Sequence, residues 1–327
     1  MRGIRKLGVG AAALAVGVLS ASAGHALIDD AYTSYTQPAN ALVMPFDATD
    51  GHESFLLVSN TNGTSSGIAG VTTHWAFWSE NCDHLADFSI CLTLNDTVVV
   101  DPRNMSAIDV GNNPIGPSID LSGERGLVVV TAYETDDVCS DSSVLGNIPV
   151  DDAIVGTYTL ANTGTNSAFG GDAIGLGLNA SGSYTELPQG FTNAIDIQTF
   201  RPDVLEDSNV ILLSLAERSG NGATADIEVG PNVSTIKAAV TIYDTLEIAT
   251  SLPDVRIKCV EFLSVIPSEN SLIPNTVTVT SSGFLRLWNF SPSIGGDSAR
   301  FVYAVHGQAV GQFGGSSNGK YSVQLPF

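Results

Sequence analysis

Apolar and β-branched runs of strand length recur along this 327-residue chain, each closed by a cluster of Gly, Asn, Asp, Ser or Pro. Ser54-Phe55-Leu56-Leu57-Val58-Ser59 stops at Asn60-Thr61-Asn62-Gly63, and Thr97-Val98-Val99-Val100 stops at Asp101-Pro102. Both read as a strand followed by a turn. Gly126 to Tyr133 is a continuous apolar run, the pattern of a strand buried on both faces. Phe301 to Val305 continues the series. The best helix candidate, Val204 to Arg218, has only partial helical spacing through Leu205, Ile211, Leu212 and Leu215. Within it, Asn209 to Leu215 also reads as a buried strand, and strand is the expectation. The predicted fold class is therefore all-β: an Ig-like or jelly-roll-type β-sandwich, either one elaborated sandwich or two in tandem.

A faint internal echo bears on that choice. Trp75-Ala76-Phe77-Trp78-Ser79-Glu80, a polar loop and Phe88-Ser89-Ile90-Cys91 resemble Val240-Thr241-Ile242-Tyr243-Asp244-Thr245, a polar loop and Val255-Arg256-Ile257-Lys258-Cys259. Each block is later followed by a Gly-led apolar strand, beginning at Gly126 and at Gly283. The expected organisation is a signal peptide at 1–26, a β-rich domain or half at 27–160, a Gly/Asn/Ser-rich junction at 161–190 and a second domain or half at 191–327.

The first residues explain where such a chain goes. Arg2, Arg5 and Lys6 precede an apolar run from Leu7 to Leu19 and the small-residue pattern Ala21-Ser22-Ala23. That order is a secretory signal, too short for a spanning helix, and it predicts an exported protein, secreted or retained at the cell surface or in the periplasm. Cleavage leaves 10 basic residues against 34 acidic ones, a formal charge of −24. Such acidity excludes nucleic acid and anionic membrane surfaces as natural partners. An envelope component, a glycan or a second copy of the chain suits it better. Charged residues make up only 14% of the sequence, so Ser, Thr, Asn and Gly must cover much of the surface.

Four cysteines, Cys82, Cys91, Cys139 and Cys259, are expected to pair in an oxidising compartment. Proximity in sequence favours Cys82 with Cys91 and Cys139 with Cys259. A zinc site from His74, Cys82, His84 and Cys91 is disfavoured, because the Cys-x-His spacing matches no common ligand pattern. No cofactor is required, and calcium is the ion that the acidic loops would suit. Glu134, Asp136, Asp137 and Asp141 around Cys139 form the preferred oxygen-rich loop, ahead of Asp47, Asp50 and Glu53 and of Asp151-Asp152, and none follows the EF-hand spacing.

Trp75 and Trp78 are the candidate ligand-binding residues, since sugar faces stack on exposed rings. Trp288, among Leu287 and Phe290, reads more economically as core. Gly315-Ser316-Ser317-Asn318-Gly319 satisfies G-x-S-x-G, but no helix follows it, so it reads as a flexible turn. Gly175 to Ala180 satisfies G-x-G-x-x-A, yet it too leads into a turn where a nucleotide site needs a helix. No catalytic residue is assigned. The expected function is structural, adhesive or ligand-binding without catalysis, with two alternatives. One is an outer-membrane β-barrel, suggested by the alternation of Tyr321, Val323, Leu325 and Phe327. The other is a secreted hydrolase with a calcium-dependent or carboxylate-based site.

Overall fold

The structure is a computed structural model that describes residues 38–61, 70–105, 108–109, 119–134, 153–164, 166–178, 184–186, 194–200, 207–219, 227–244, 246, 248–264, 272–273, 283–292, 301–310 and 314–324. The expected signal peptide lies outside them. The fold is all-β, with antiparallel sheets and no helix among the described residues.

Eleven strands come first: β1 (Ala41–Asp47), β2 (His52–Asn60), β3 (Gly70–Ser79), β4 (His84–Thr93), β5 (Thr97–Val100), β6 (Ile108–Asp109), β7 (Arg125–Glu134), β8 (Ile154–Asn162), β9 (Ser167–Asp172), β10 (Ile174–Leu178) and β11 (Tyr184–Glu186). Nine follow: β12 (Ala194–Phe200), β13 (Asp207–Ser219), β14 (Ile227–Pro231), β15 (Ile236–Asp244), β16 (Ala249–Ile257), β17 (Val260–Ser264), β18 (Gly283–Pro292), β19 (Phe301–Val310) and β20 (Gly314–Gln324).

These strands repeat one topology. In the first half, β1-β7-β3-β4 form one sheet and β5-β2-β8-β9 another. In the second half, β12-β18-β15-β16 and β17-β13-β19-β20 reproduce that order strand for strand. The sequence echo falls on matching hairpins, β3–β4 and β15–β16, and the Gly-led strands β7 and β18 pair with β3 and β15. β6, β10, β11 and β14 are additions outside the repeated order. β10 and β11 come from the segment expected to be a junction, and they extend the first sheet beyond β1.

Alternation along each strand builds the cores. On β3, Val71, Thr73, Trp75 and Phe77 are buried on one face, and Phe88, Ile90 and Leu92 of β4 continue it. Leu56 and Val58 of β2, Val98 and Val100 of β5 and Tyr158 of β8 belong to the same apolar cluster. The second half has its own cluster, with Ile236, Ala238, Val240 and Ile242 of β15, Leu285 and Leu287 of β18, and Val302 of β19.

β13 joins the two. Ile211, Leu213 and Leu215 lie in the first cluster, whereas Val210 and Leu212 lie in the second. This explains why Asn209 to Leu215 has no polar side: it is a strand with apolar packing on both faces, as its sequence predicts, and no helix forms there. Val229 of β14 and Val260 of β17 join the first cluster as well. At about 1.5–3 kcal/mol per buried aliphatic side chain, the five β13 residues contribute on the order of 10 kcal/mol of gross burial. That rivals the net stability of a typical domain. Tyr32–Phe327 accordingly forms one compact unit.

One expectation about the chain end changes. Gly315 to Gly319 is no flexible turn but part of β20, where Ser316 pairs with Gln308 and Ser317 with Gly307. A nucleophile on a sharp strand-to-helix turn has no place in that extended ladder.

Candidate functional site

β18 carries an exposed tryptophan, Trp288, on the face of its sheet that points away from the core. Its sequence Leu285-Arg286-Leu287-Trp288 alternates, so Leu285 and Leu287 enter the core while Arg286 and Trp288 project to the other face. Opposite them on β15, Thr241 pairs with Arg286 and Ala239 with Trp288. The ladder then slips: Lys237 pairs with Ser291, which leaves an extra residue on β18. Asn289 absorbs it with φ of 51°, the left-handed region that Asn tolerates better than most residues. β16 slips likewise against β15 between Ala238 and Val240. Bulges of this kind bend a strand and re-aim its side chains.

The result is an indole held in the open. Trp288 is 44% exposed, and its Nε1 donates a hydrogen bond to Thr241 Oγ1 at 3.0 Å. Beside it, the Arg286 guanidinium lies over the Tyr243 ring, 5.8 Å from its centroid. One anchored aromatic face and one stacked cation thus share the sheet surface, with an exposed Asn289 at the adjoining bulge. Such a set offers a flat apolar contact bordered by hydrogen-bond donors.

A concavity of about 480 Å³ lies along the β3–β4 turn, lined by Thr49, Ser79, Glu80, Asp83, Glu124 and Arg125 among others. Arg125 pairs with Glu80, and its guanidinium sits 5.1 Å from the Phe262 ring centroid on β17. Glu261 is half-buried beside this pair. Its carboxyl pKa is raised first by burial, with Glu80 adding repulsion, while a backbone hydrogen bond at Lys258 and the charges of Arg125 and Lys258 oppose the rise. Among the described residues no group of three or more His, Cys, Asp or Glu side chains converges on a metal position. The cleft is lined by first-half residues alone, and Arg125 reaches from it to Phe262 of the second half.

The residues singled out in the sequence are dispersed. Trp75 cannot be a ligand platform: it is 0% exposed, donates to Thr73 Oγ1 at 2.9 Å and stacks on Phe88 at 6.0 Å. Its place on the inward face of β3 is the physical reason. Trp78 on the opposite face is half-buried, with its ring 4.8 Å from that of His84. His74 and His84 both approach Asp87, at 3.8 and 3.9 Å. The Glu134 backbone ends β7 opposite Val71, but its side chain, with Asp136, Asp137, Cys139, Asp141 and Asp151-Asp152, lies outside the described residues. Asp47 accepts hydrogen bonds from the Thr49 N–H and Oγ1 within its own turn, and Asp50 meets Arg103 at 3.9 Å. Those two carboxylates serve local structure.

The cysteines also depart from the expectation. Cys91 is disulfide-bonded, and its partner is neither Cys82 nor Cys259. The pairing of Cys82 with Cys91, and that of Cys139 with Cys259, are therefore not the ones present. Cys82 sits in the β3–β4 turn and Cys91 well along β4, so nearness in sequence does not bring them together.

Trp288 is the residue that the sequence reading misplaced in the core. The signal that finds it is its shared parity with Arg286, since an interior face does not take a guanidinium readily. Comparison with protein families, curated proteins and solved structures finds no match.

Proposed function

We propose that the chain is an exported, non-catalytic protein of two tandem β-sandwiches that binds a neutral polysaccharide at the cell surface or in the envelope. The observation that carries this reading is the open face of β18 and β15, where a hydrogen-bonded Trp288 stands beside the Arg286–Tyr243 stack. Sugar rings present an apolar face that packs on an indole and hydroxyls that accept from Arg and Asn. The formal charge of −21 argues for a neutral glycan, because a polyanion would meet long-range repulsion. The four open sheets with apolar interiors among the described residues favour a water-soluble protein over an outer-membrane barrel, whose interior is polar.

Intrinsic fluorescence titration with a panel of neutral and acidic polysaccharides tests the reading. A neutral member should perturb tryptophan emission, and Trp288→Ala should abolish the response while leaving the far-ultraviolet spectrum unchanged. No response to any member, or an unaltered response in Trp288→Ala, overturns it.

A further inference from the structure

Cys82 and Cys259 are far apart in sequence yet share the same two backbone acceptors. The Cys82 N–H donates to the Ser79 carbonyl at 3.0 Å, and the Cys259 Sγ lies 3.5 Å from that same oxygen. Reciprocally, the Cys259 N–H donates to the Asn232 carbonyl at 3.1 Å, and the Cys82 Sγ lies 3.6 Å from it. Each sulfur is thus one carbonyl oxygen away from the other cysteine's backbone. We propose that Cys82 and Cys259 close a disulfide that ties the first half of the protein to the second.

Three further observations support it. Both residues hold left-handed backbones, with φ of 69° and 61°, a conformation costly for a residue that is neither Gly nor Asn. Turn geometry alone would select Gly or Asn at such positions, so the presence of cysteine at both calls for a reason in its side chain. The frame is also rigid. Ser79 Oγ accepts from the Asn81 and Asp83 N–H groups, and the Asn232 side chain donates to Ser214 Oγ and to the Ser234 carbonyl. Ser214 N–H in turn donates to the Cys259 carbonyl at 2.8 Å. Finally, Cys91 is itself disulfide-bonded, and its partner is neither of these two residues.

The sulfurs are not at bonding distance as they stand, so closure requires rotation about the side-chain bonds of the two residues. Chemically, one thiolate attacks a low-molecular-weight disulfide such as glutathione disulfide and forms a mixed disulfide; the second thiolate then displaces the remaining glutathione. Two S–H bonds are lost, one S–S bond forms, and the oxidant leaves as two thiols carrying the electrons and protons.

The test uses the full chain in an oxidising glutathione buffer, alkylated at acid pH and digested without reduction. A linked peptide pair containing Cys82 and Cys259 is expected, absent from Cys82→Ser and from Cys259→Ser. In each variant the remaining partner should become alkylated while Cys91 stays protected. Folded wild-type protein whose Cys82 and Cys259 are both alkylated at every glutathione ratio overturns the proposal, as does recovery of Cys82 linked to Cys91. Because the wild-type map decides between these results, the proposal does not depend on either variant folding.

Discussion

Gly126 on β7 lies so close to Trp78 on β3 that a Cβ built on it would overlap the Trp78 carbonyl oxygen. The carbonyl carbon of Trp78 would be 2.8 Å away and the Ser79 Cα 3.0 Å away, and none of these is a flexible side-chain end. Gly126→Ala must therefore push two central strands apart. A loss of about 3 kcal/mol or more is expected in urea denaturation, at the upper end of overpacking costs. An unchanged midpoint would show that β3 and β7 do not meet in this register.

Asn289 sets the aim of Trp288, and its left-handed φ of 51° separates two substitutions. Asn289→Gly should be tolerated, because Gly adopts that backbone freely. Asn289→Val should cost about 1–2 kcal/mol, since a β-branched residue resists it. Equal thermal melting of the two variants would argue against the bulge.

Two of the tryptophans make a second contrast. Trp75→Ala removes a fully buried ring and should cost about 3–5 kcal/mol, whereas Trp288→Ala should cost less than about 1 kcal/mol. Equilibrium denaturation of both variants checks the ranking, and a more damaging Trp288→Ala would mean that its face is covered.

Glu261 gives a pH signature. Burial raises its carboxyl pKa above the ordinary 4.5, so the folded state prefers the protonated form. Its favourable contribution is full below pH 4.5 and is lost as pH rises through the raised folded value. Glu261→Gln should accordingly stabilise the protein at neutral pH, with the advantage shrinking as pH falls toward 4.5. Thermal melts of both proteins across that range decide it. A destabilised variant at neutral pH would show that attraction to Arg125 and Lys258 outweighs burial.

Local patterns carried most of the fold and little of the site. The turn clusters after Ser59 and Val100 close strands where they should, and the unbroken apolar runs at Gly126 to Tyr133 and Asn209 to Leu215 mark strands packed on both faces. The hairpin echo falls on equivalent strands of a repeated topology. Cysteine neighbours were not legible, because Cys82 and Cys259 are distant in sequence and are brought near each other only by contacts between the two halves. The exposure of Trp288 was obscured for another reason: its apolar character suggested the interior, while its parity with Arg286 pointed outward. Trp75 failed in the opposite sense, because strand alternation gives two faces without saying which one another sheet will cover.

From Val210 to Ala216, β13 has no side that belongs to water, and this governs how the protein comes apart. Ile211, Leu213 and Leu215 complete one core while Val210 and Leu212 complete the other, so melting either half strips a wall from its neighbour. Local opening that spares the rest is confined to the periphery, and loss of this strand propagates through both repeats. A nick that releases the second half would leave the first with an apolar scar where its partner had been, prone to self-association. Although the topology is duplicated, the two copies have become obligate halves of a single cooperative body.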